Sequence, residues 1–265
     1  MNHLKWTLTF VALSLSACGG GGGSKDTASA TSSGSSGQTY VTQQVNDMTS
    51  AFKQRQDAPG ATNLTGTWIE AAGDVGTASG KYNGSSLNSS WQDLGVQIYQ
   101  VVDNGPNLTV TPCDTPSTHY TFTYNASGQV VQNSSDPYSP VGDVTGNNDI
   151  NFGVTPYTYH VTETTSDYTT QGQSTLHWIK LSTSLTANVG YISATGMSAN
   201  LTCAYYYQSN YKLSGVAHHE YEVFMQDDNS NQYYATGGDS DALPTRTGNV
   251  FSLTYKGVPV TVTLY

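Results

Sequence analysis

Positive charge is scarce in this chain. Nine Lys and Arg stand against nineteen Asp and Glu, a formal net charge of −10. Such a surface repels a phosphate backbone, which argues against a nucleic-acid partner. Cysteine is nearly absent as well. Cys18, Cys113 and Cys203 are the only three, and none has the C-x-x-C spacing of a zinc or dithiol redox site. Gly-x-Ser-x-Gly and His-Glu-x-x-His are both missing, which removes the signatures of the serine-hydrolase elbow and the zincin helix. No residue pattern implies a cofactor. No repeat of fixed period occurs, so a propeller or solenoid is not expected. Long apolar runs are missing too. The stretch Trp6–Leu15 rises only about 15 Å as a helix, roughly half of a hydrocarbon core.

That short run is informative for what surrounds it. A polar start with Lys5, an apolar centre and small residues ahead of a cut site describe a secretory signal peptide over 1–17. Leu15-Ser16-Ala17-Cys18 resembles the lipobox of bacterial lipoproteins. The resemblance implies that Cys18 is lipidated, that cleavage occurs just before it, and that the mature chain is held at a membrane by two or three acyl chains. Each buried CH₂ contributes about 0.8 kcal/mol to such anchoring. No aspartate follows the cysteine, so in a host with two membranes the resemblance favours the outer one, facing the periplasm or the surface. Residues 18–39 are then a flexible Gly/Ser-rich tether with a root-mean-square reach of roughly 25 Å.

Residues 40–265 read as one domain. Tyr40–Arg55 is the one good helix candidate, with Val41, Val45, Met48 and Phe52 spaced onto a single face. Beyond Leu64 the period becomes two. In HYTFTYN, Tyr120, Phe122 and Tyr124 share a face; in HEYEVFMQ, Tyr221, Val223 and Met225 oppose Glu220, Glu222 and Phe224; in VPVTVTLY, Val258, Val260, Val262 and Leu264 line up. Roughly ten to twelve such runs, separated by turn residues, predict an all-β fold, an antiparallel barrel or a sandwich. Export places Cys113 and Cys203 in an oxidising compartment, where they are expected to pair and to close a loop of about ninety residues.

The segment LTGTWIE opens the β region. Its Leu-x-Gly-Thr-Trp is similar to the start of lipocalin-like domains, where a Gly-x-Trp begins the first barrel strand. The resemblance implies a closed barrel, with Gly66 and Trp68 structural at its closed end and the preceding helix as a cover. The family usually stacks an arginine from near its last strand on this tryptophan; Arg246 is the late arginine here.

Candidate sites are sparse. His218 and Glu220 share a strand face, and His119, His160 or His177 would have to supply a third zinc ligand; a polar strand face explains the same residues. The stretch starting at Asp227, DDNSNQ, has oxygen ligands at alternate positions but lacks the glycine and glutamate of a calcium loop, and a hairpin turn accounts for it equally. GDVTGNND from Gly142 is a similar case. Glu163, Asp167, Glu220 and Glu222 are available for carboxylate catalysis, with nothing to single out a pair. The abundant tyrosines fill a β core or line a pocket. The expectation is a membrane-anchored lipoprotein that binds a small apolar or amphiphilic ligand without catalysis. The alternatives are a surface module recognising an envelope protein or glycan, and a hydrolase.

Overall fold

The computed structural model describes residues 35–51, 64–82, 84–117, 119–124, 130–132, 149–150, 157–164, 166–182 and 188–265. Cys18, its lipobox and most of the tether lie outside the described residues, as do Phe52 and positions 142–148 of the acidic loop.

The described chain is one helix and an antiparallel sheet. Helix α1 spans Ser35–Ser50, followed by β1 (Gly66–Tyr82), β2 (Ser85–Asp103), β3 (Asn107–Pro112), β4 (Tyr120–Tyr124), β5 (Val130–Gln132), β6 (Asp149–Ile150), β7 (Tyr157–Thr164) and β8 (Tyr168–Ser182). Then come β9 (Gly190–Ala194), β10 (Met197–Leu213), β11 (Val216–Asp227), β12 (Gln232–Gly237), β13 (Thr245–Thr247), β14 (Val250–Tyr255) and β15 (Val258–Leu264). The helix begins five residues before Tyr40, inside the stretch expected to be tether. Once Val41, Val45 and Met48 are buried, extending the helix toward its N-terminus costs little, because nucleation is the expensive step.

The centre of the sheet runs β7-β8-β1-β2-β10-β11-β12. β1 pairs with β2 from Gly66↔Val101 to Tyr82↔Ser85, and with β8 from Thr67↔Ser182 to Gly80↔Tyr168. The other edge of β2 is shared: Ser89–Gln97 pair with β10, and Tyr99–Asp103 pair with β3, which leads on to β4, β5 and β6. β10 divides in the same way. Its second half pairs with β2, while Met197–Leu201 pair with β9, which continues into β15, β14 and β13. Among the described residues these ladders do not close into a ring.

Alternation gives the central sheet two different faces. One is apolar. Ile69 and Ala71 of β1, Val96 and Ile98 of β2, Ile179 and Leu181 of β8, and Tyr206 and Val223 of β10 and β11 form one buried cluster. Helix α1 covers it with Val45 and Met48; β9, β14 and β15 contribute Ile192, Phe251, Val260, Val262 and Leu264. Contact with the helix is close at Gly73, where an added Cβ would lie 2.9 Å from the Cβ of Val41. Polar bonds fix the helix laterally. His177 Nδ1 lies 3.0 Å from Thr49 Oγ1, and Thr42 Oγ1 lies 3.2 Å from Thr175 Oγ1. Arg246 donates to Asp47 at 2.9 Å and to the Gly248 carbonyl at 2.7 Å, and also to Gln44.

Cys113 and Cys203 are bonded, with Cα atoms 5.5 Å apart. The link ties the end of β3 to β10 across the point where the two branches of the sheet diverge. The loop it closes spans 90 positions, so it restricts the unfolded chain strongly.

Candidate functional site

The opposite face of the same strands carries the chemistry. Its rows follow from the register. Ser174 of β8, Asp74 of β1, Asp93 of β2, Ser209 of β10 and Glu220 of β11 are successive cross-strand partners. Two residues along each strand the row is Leu176, Ala72, Gly95, Tyr207 and Glu222. The next is Trp178, Glu70, Gln97, Tyr205 and Phe224. Five carboxyl side chains therefore share one face with a set of aromatic rings, and small residues, Ala72 and Gly95, separate the inner rows.

Burial is graded across the strands. Asp93 is 1% exposed, Asp74 5% and Glu70 8%, whereas Glu220 and Glu222 on β11 are half-buried. Burial thus deepens from β11 toward β1 and β2. Ser209 donates to Asp93 Oδ1 at 2.6 Å, and Asp93 Oδ2 has no partner. Gln97 donates through Nε2 to Asp114 Oδ1 at 2.8 Å and to the Ile98 carbonyl at 3.2 Å, but its Oε1 has no partner either. Two buried acceptors are left unsatisfied, each an expensive condition in a folded interior.

The environment raises the titrations of the carboxyl groups on this face. Burial pushes Glu70 up to about 7; the Tyr99 hydroxyl beside it opposes the shift and the charge of Asp74 adds to it. Burial likewise pushes Asp74 up to about 6, against the effect of the Ser174 hydroxyl. Asp93 is raised well above the ordinary carboxylate range by burial, with Asp74 and Glu220 adding like charge and the Ser209 hydroxyl opposing. Glu220 is raised by burial and by Glu222 and Asp239. Asp74 and Asp93, directly opposite on neighbouring strands, are close enough that ionising both is unfavourable.

Beyond the acids lies an aromatic block. Trp68, Tyr99, Tyr120, Phe122 and Trp178 are fully buried together with Leu108 and Val110. Tyr99 and Trp178 rings sit 4.8 Å apart. Trp68 Nε1 donates to the Leu64 carbonyl at 2.8 Å, and Gly66 has φ +152°, a backbone region that side chains rarely adopt. Arg246 is committed to the helix, on the other face of the sheet. The cation over Trp68 is Lys180, its Nζ 5.9 Å from the ring centroid. Burial lowers the Lys180 pKa, and Asp103 opposes that shift.

The other sequence candidates find structural partners. Asp227 is the anchor of the β11–β12 hairpin. It accepts from Asn229 N, Asn231 N, Asn231 Nδ2 and the Tyr233 hydroxyl at 2.8–3.0 Å. Those donors occupy the oxygens a calcium ion would need. His218 Nδ1 lies 2.6 Å from Asp239 Oδ2 and its ring stacks on Tyr211, while His219 Nε2 lies 2.9 Å from the Asp241 carbonyl. Among the described residues no group of three His, Cys, Asp or Glu is placed to hold a metal. His119 and Asp167 are exposed, His177 is buried beneath the helix, and the side chains of His160 and Glu163 lie outside the described residues.

Of the four carboxylates named from sequence, Glu220 and Glu222 belong to the acidic face. Glu70, Asp74, Asp93 and Gln97 were not foreseen. A signal was present: WIEAAGD places Glu70 and Asp74, four residues apart, on the same strand face as Trp68, in a stretch otherwise apolar or small. The large exposed apolar side chains, Tyr40, Tyr191, Val216, Tyr234 and Val258, are spread over five elements. In the apolar layer the gap bordered by Val96, Ala204, Tyr206, Val223, Met225 and Phe251 has a volume of about 10 Å³, room for one water.

No protein-family model, no curated protein and no solved structure matches this chain.

Proposed function

We propose that this chain is a lipoprotein of the bacterial envelope, anchored through Cys18, whose β domain binds a small amphiphilic molecule on the acidic aromatic face and does not transform it. The observation that carries this reading is the union on one face of unsatisfied buried acceptors, Asp93 Oδ2 and Gln97 Oε1, with the rings of Tyr205, Tyr207 and Trp178. Polar atoms deprived of partners fix the orientation of a bound molecule; flat rings supply its apolar contact. The small gap in the apolar layer gives no support to a ligand on the helix side.

A lipocalin-like closed barrel belongs to the same proposal, with Gly66 and Trp68 as its closing residues. A cation over the Trp68 ring supports it, supplied by Lys180 in place of the arginine. The anchor would place the domain at the outer membrane, facing the periplasm or the surface.

Two experiments test the reading. Metabolic labelling with palmitate should mark the wild-type chain and not Cys18→Ala; an unlabelled wild type would overturn the anchor. Native mass spectrometry of the full chain from its own host should show a retained small molecule, and a bare mass would overturn binding. The raised titrations of Glu70 and Asp74 also favour a second reading, hydrolysis by an acid–base pair. Turnover of chromogenic glycosides that is lost in Glu70→Gln would replace binding by catalysis.

A further inference from the structure

Resting on the binding reading above, we infer that the ligand class is a linear di- or polyamine, with one ammonium group seated at Asp93 and a second at Glu220 and Glu222. Three observations converge on this chemistry. Asp93 Oδ2 and Gln97 Oε1 lack partners, and an ammonium group beside Asp93 favours its ionised form, so that both atoms then accept from N–H donors. Asp74, Asp93, Ser209 and Glu220 lie in one transverse row, with Glu222 in the row beside it, and the charge of Glu220 acts on Asp93. Two interstrand steps separate Asp93 from Glu220, about 10 Å at the usual strand spacing. No metal-holding group of three ligands is present among the described residues, so a compact inorganic cation does not fit as well as N–H donors spaced along a chain.

The intervening surface suits methylene groups. Ser209 lies in the row between the two anionic pairs, and the Tyr207 ring flanks it in the next row. Among the described residues no lysine or arginine is paired with Asp74 or Asp93. Lys180 sits beyond the Trp178–Glu70 row, over Trp68, with Asp103 as the charge that opposes its burial. Access follows the burial gradient: a flexible amine enters past half-buried Glu220 and Glu222 and reaches Asp93 end first.

The test is isothermal titration of the full chain with spermidine, butylamine, ethylenediamine and magnesium at fixed ionic strength. Spermidine should bind about tenfold or more tightly than butylamine, and ethylenediamine, too short to reach both ends, should resemble butylamine. Asp93→Asn should weaken spermidine at least about tenfold. Glu220→Gln combined with Glu222→Gln should bring spermidine down to the level of butylamine. Because Glu220 and Glu222 are half-exposed, that pair decides the matter if Asp93→Asn fails to fold. Equal affinity for spermidine and butylamine, equal competition by magnesium, or no heat at all would overturn the inference. Native mass spectrometry separates the two levels. A retained uncharged amphiphile with no spermidine binding removes the amine and keeps the binding function; neither removes both.

Discussion

The two faces of the central sheet are built from alternate residues of the same strands, yet they solve opposite problems. Under helix α1 the side chains are aliphatic, packed, and linked to the helix by a few peripheral polar bonds. Across the backbone, only a few ångströms away, Glu70, Asp74 and Asp93 are buried as well but have raised titrations, and Asp93 Oδ2 has no partner. The apolar face lowers the free energy of folding. The acidic face raises it, and a fold keeps such a surface only where something other than stability is served.

The largest way to break the comparison is to remove the element that both faces share. Cys113→Ser with Cys203→Ser frees a loop of 90 positions, and the chain-entropy model puts the loss at about 4–5 kcal/mol as an upper figure. Denaturant melts of the double variant should show it, with both faces lost in one transition.

Next is a truncation confined to the helix side. Met48 is fully buried, and Met48→Ala should cost about 2–5 kcal/mol, equally at pH 5 and pH 8. A pH-dependent loss would blur the distinction between the faces.

The acidic face should behave in the reverse manner. Glu70 and Asp74 titrate near 7 and 6 in the fold, against about 4 in the unfolded chain. Between roughly pH 4 and pH 7 the native state therefore holds more protons than the unfolded state, and stability falls as pH rises through that window. The full difference is on the order of a few kcal/mol. Thermal melts should show a domain more stable at pH 5 than at pH 8. Glu70→Gln should flatten that slope and raise the pH 8 midpoint; an unchanged slope would show that the carboxyl group is not held as described.

A smaller effect probes the closeness of the helix. A methyl group at Gly73 meets Val41, so Gly73→Ala should cost about 1–3 kcal/mol, readable as a lowered midpoint with the pH slope intact. The smallest concerns Asp47, more than half exposed in its pair with Arg246. Asp47→Asn should change stability by about 0.5 kcal/mol, and less in high salt.

Several elements were readable in advance. The alternation in HEYEVFMQ placed Tyr221, Val223 and Met225 inward, as found, and the spacing of Val41, Val45 and Met48 marked the buried side of α1. At VPVTVTLY the pattern holds from Val260 onward, but Val258 is exposed at the turn. The lengths of β1 and β2 were not readable. Both run through Gly, Ser and Asp, and β2 through Asn as well, residues that disfavour strands in isolation and are kept extended here by neighbours on both sides. The acidic row was hidden for a related reason. Asp74, Asp93 and Glu220 are far apart in sequence, and only the register of β1, β2, β10 and β11 makes them neighbours.

Readable from the chain alone were the local terms: the strand period, the one amphipathic helix, two cysteines able to pair, and a negative charge with few cations to offset it. These follow from side-chain spacing and composition, which act over a few residues. Only the pairing of distant strands made β2 and β10 each divide between two partners, set a helix over one face, and brought acids from three strands together on the other. Those outcomes depend on which edges pair and in what register, and a shift of one residue would have sent every one of these carboxyl groups to the opposite side.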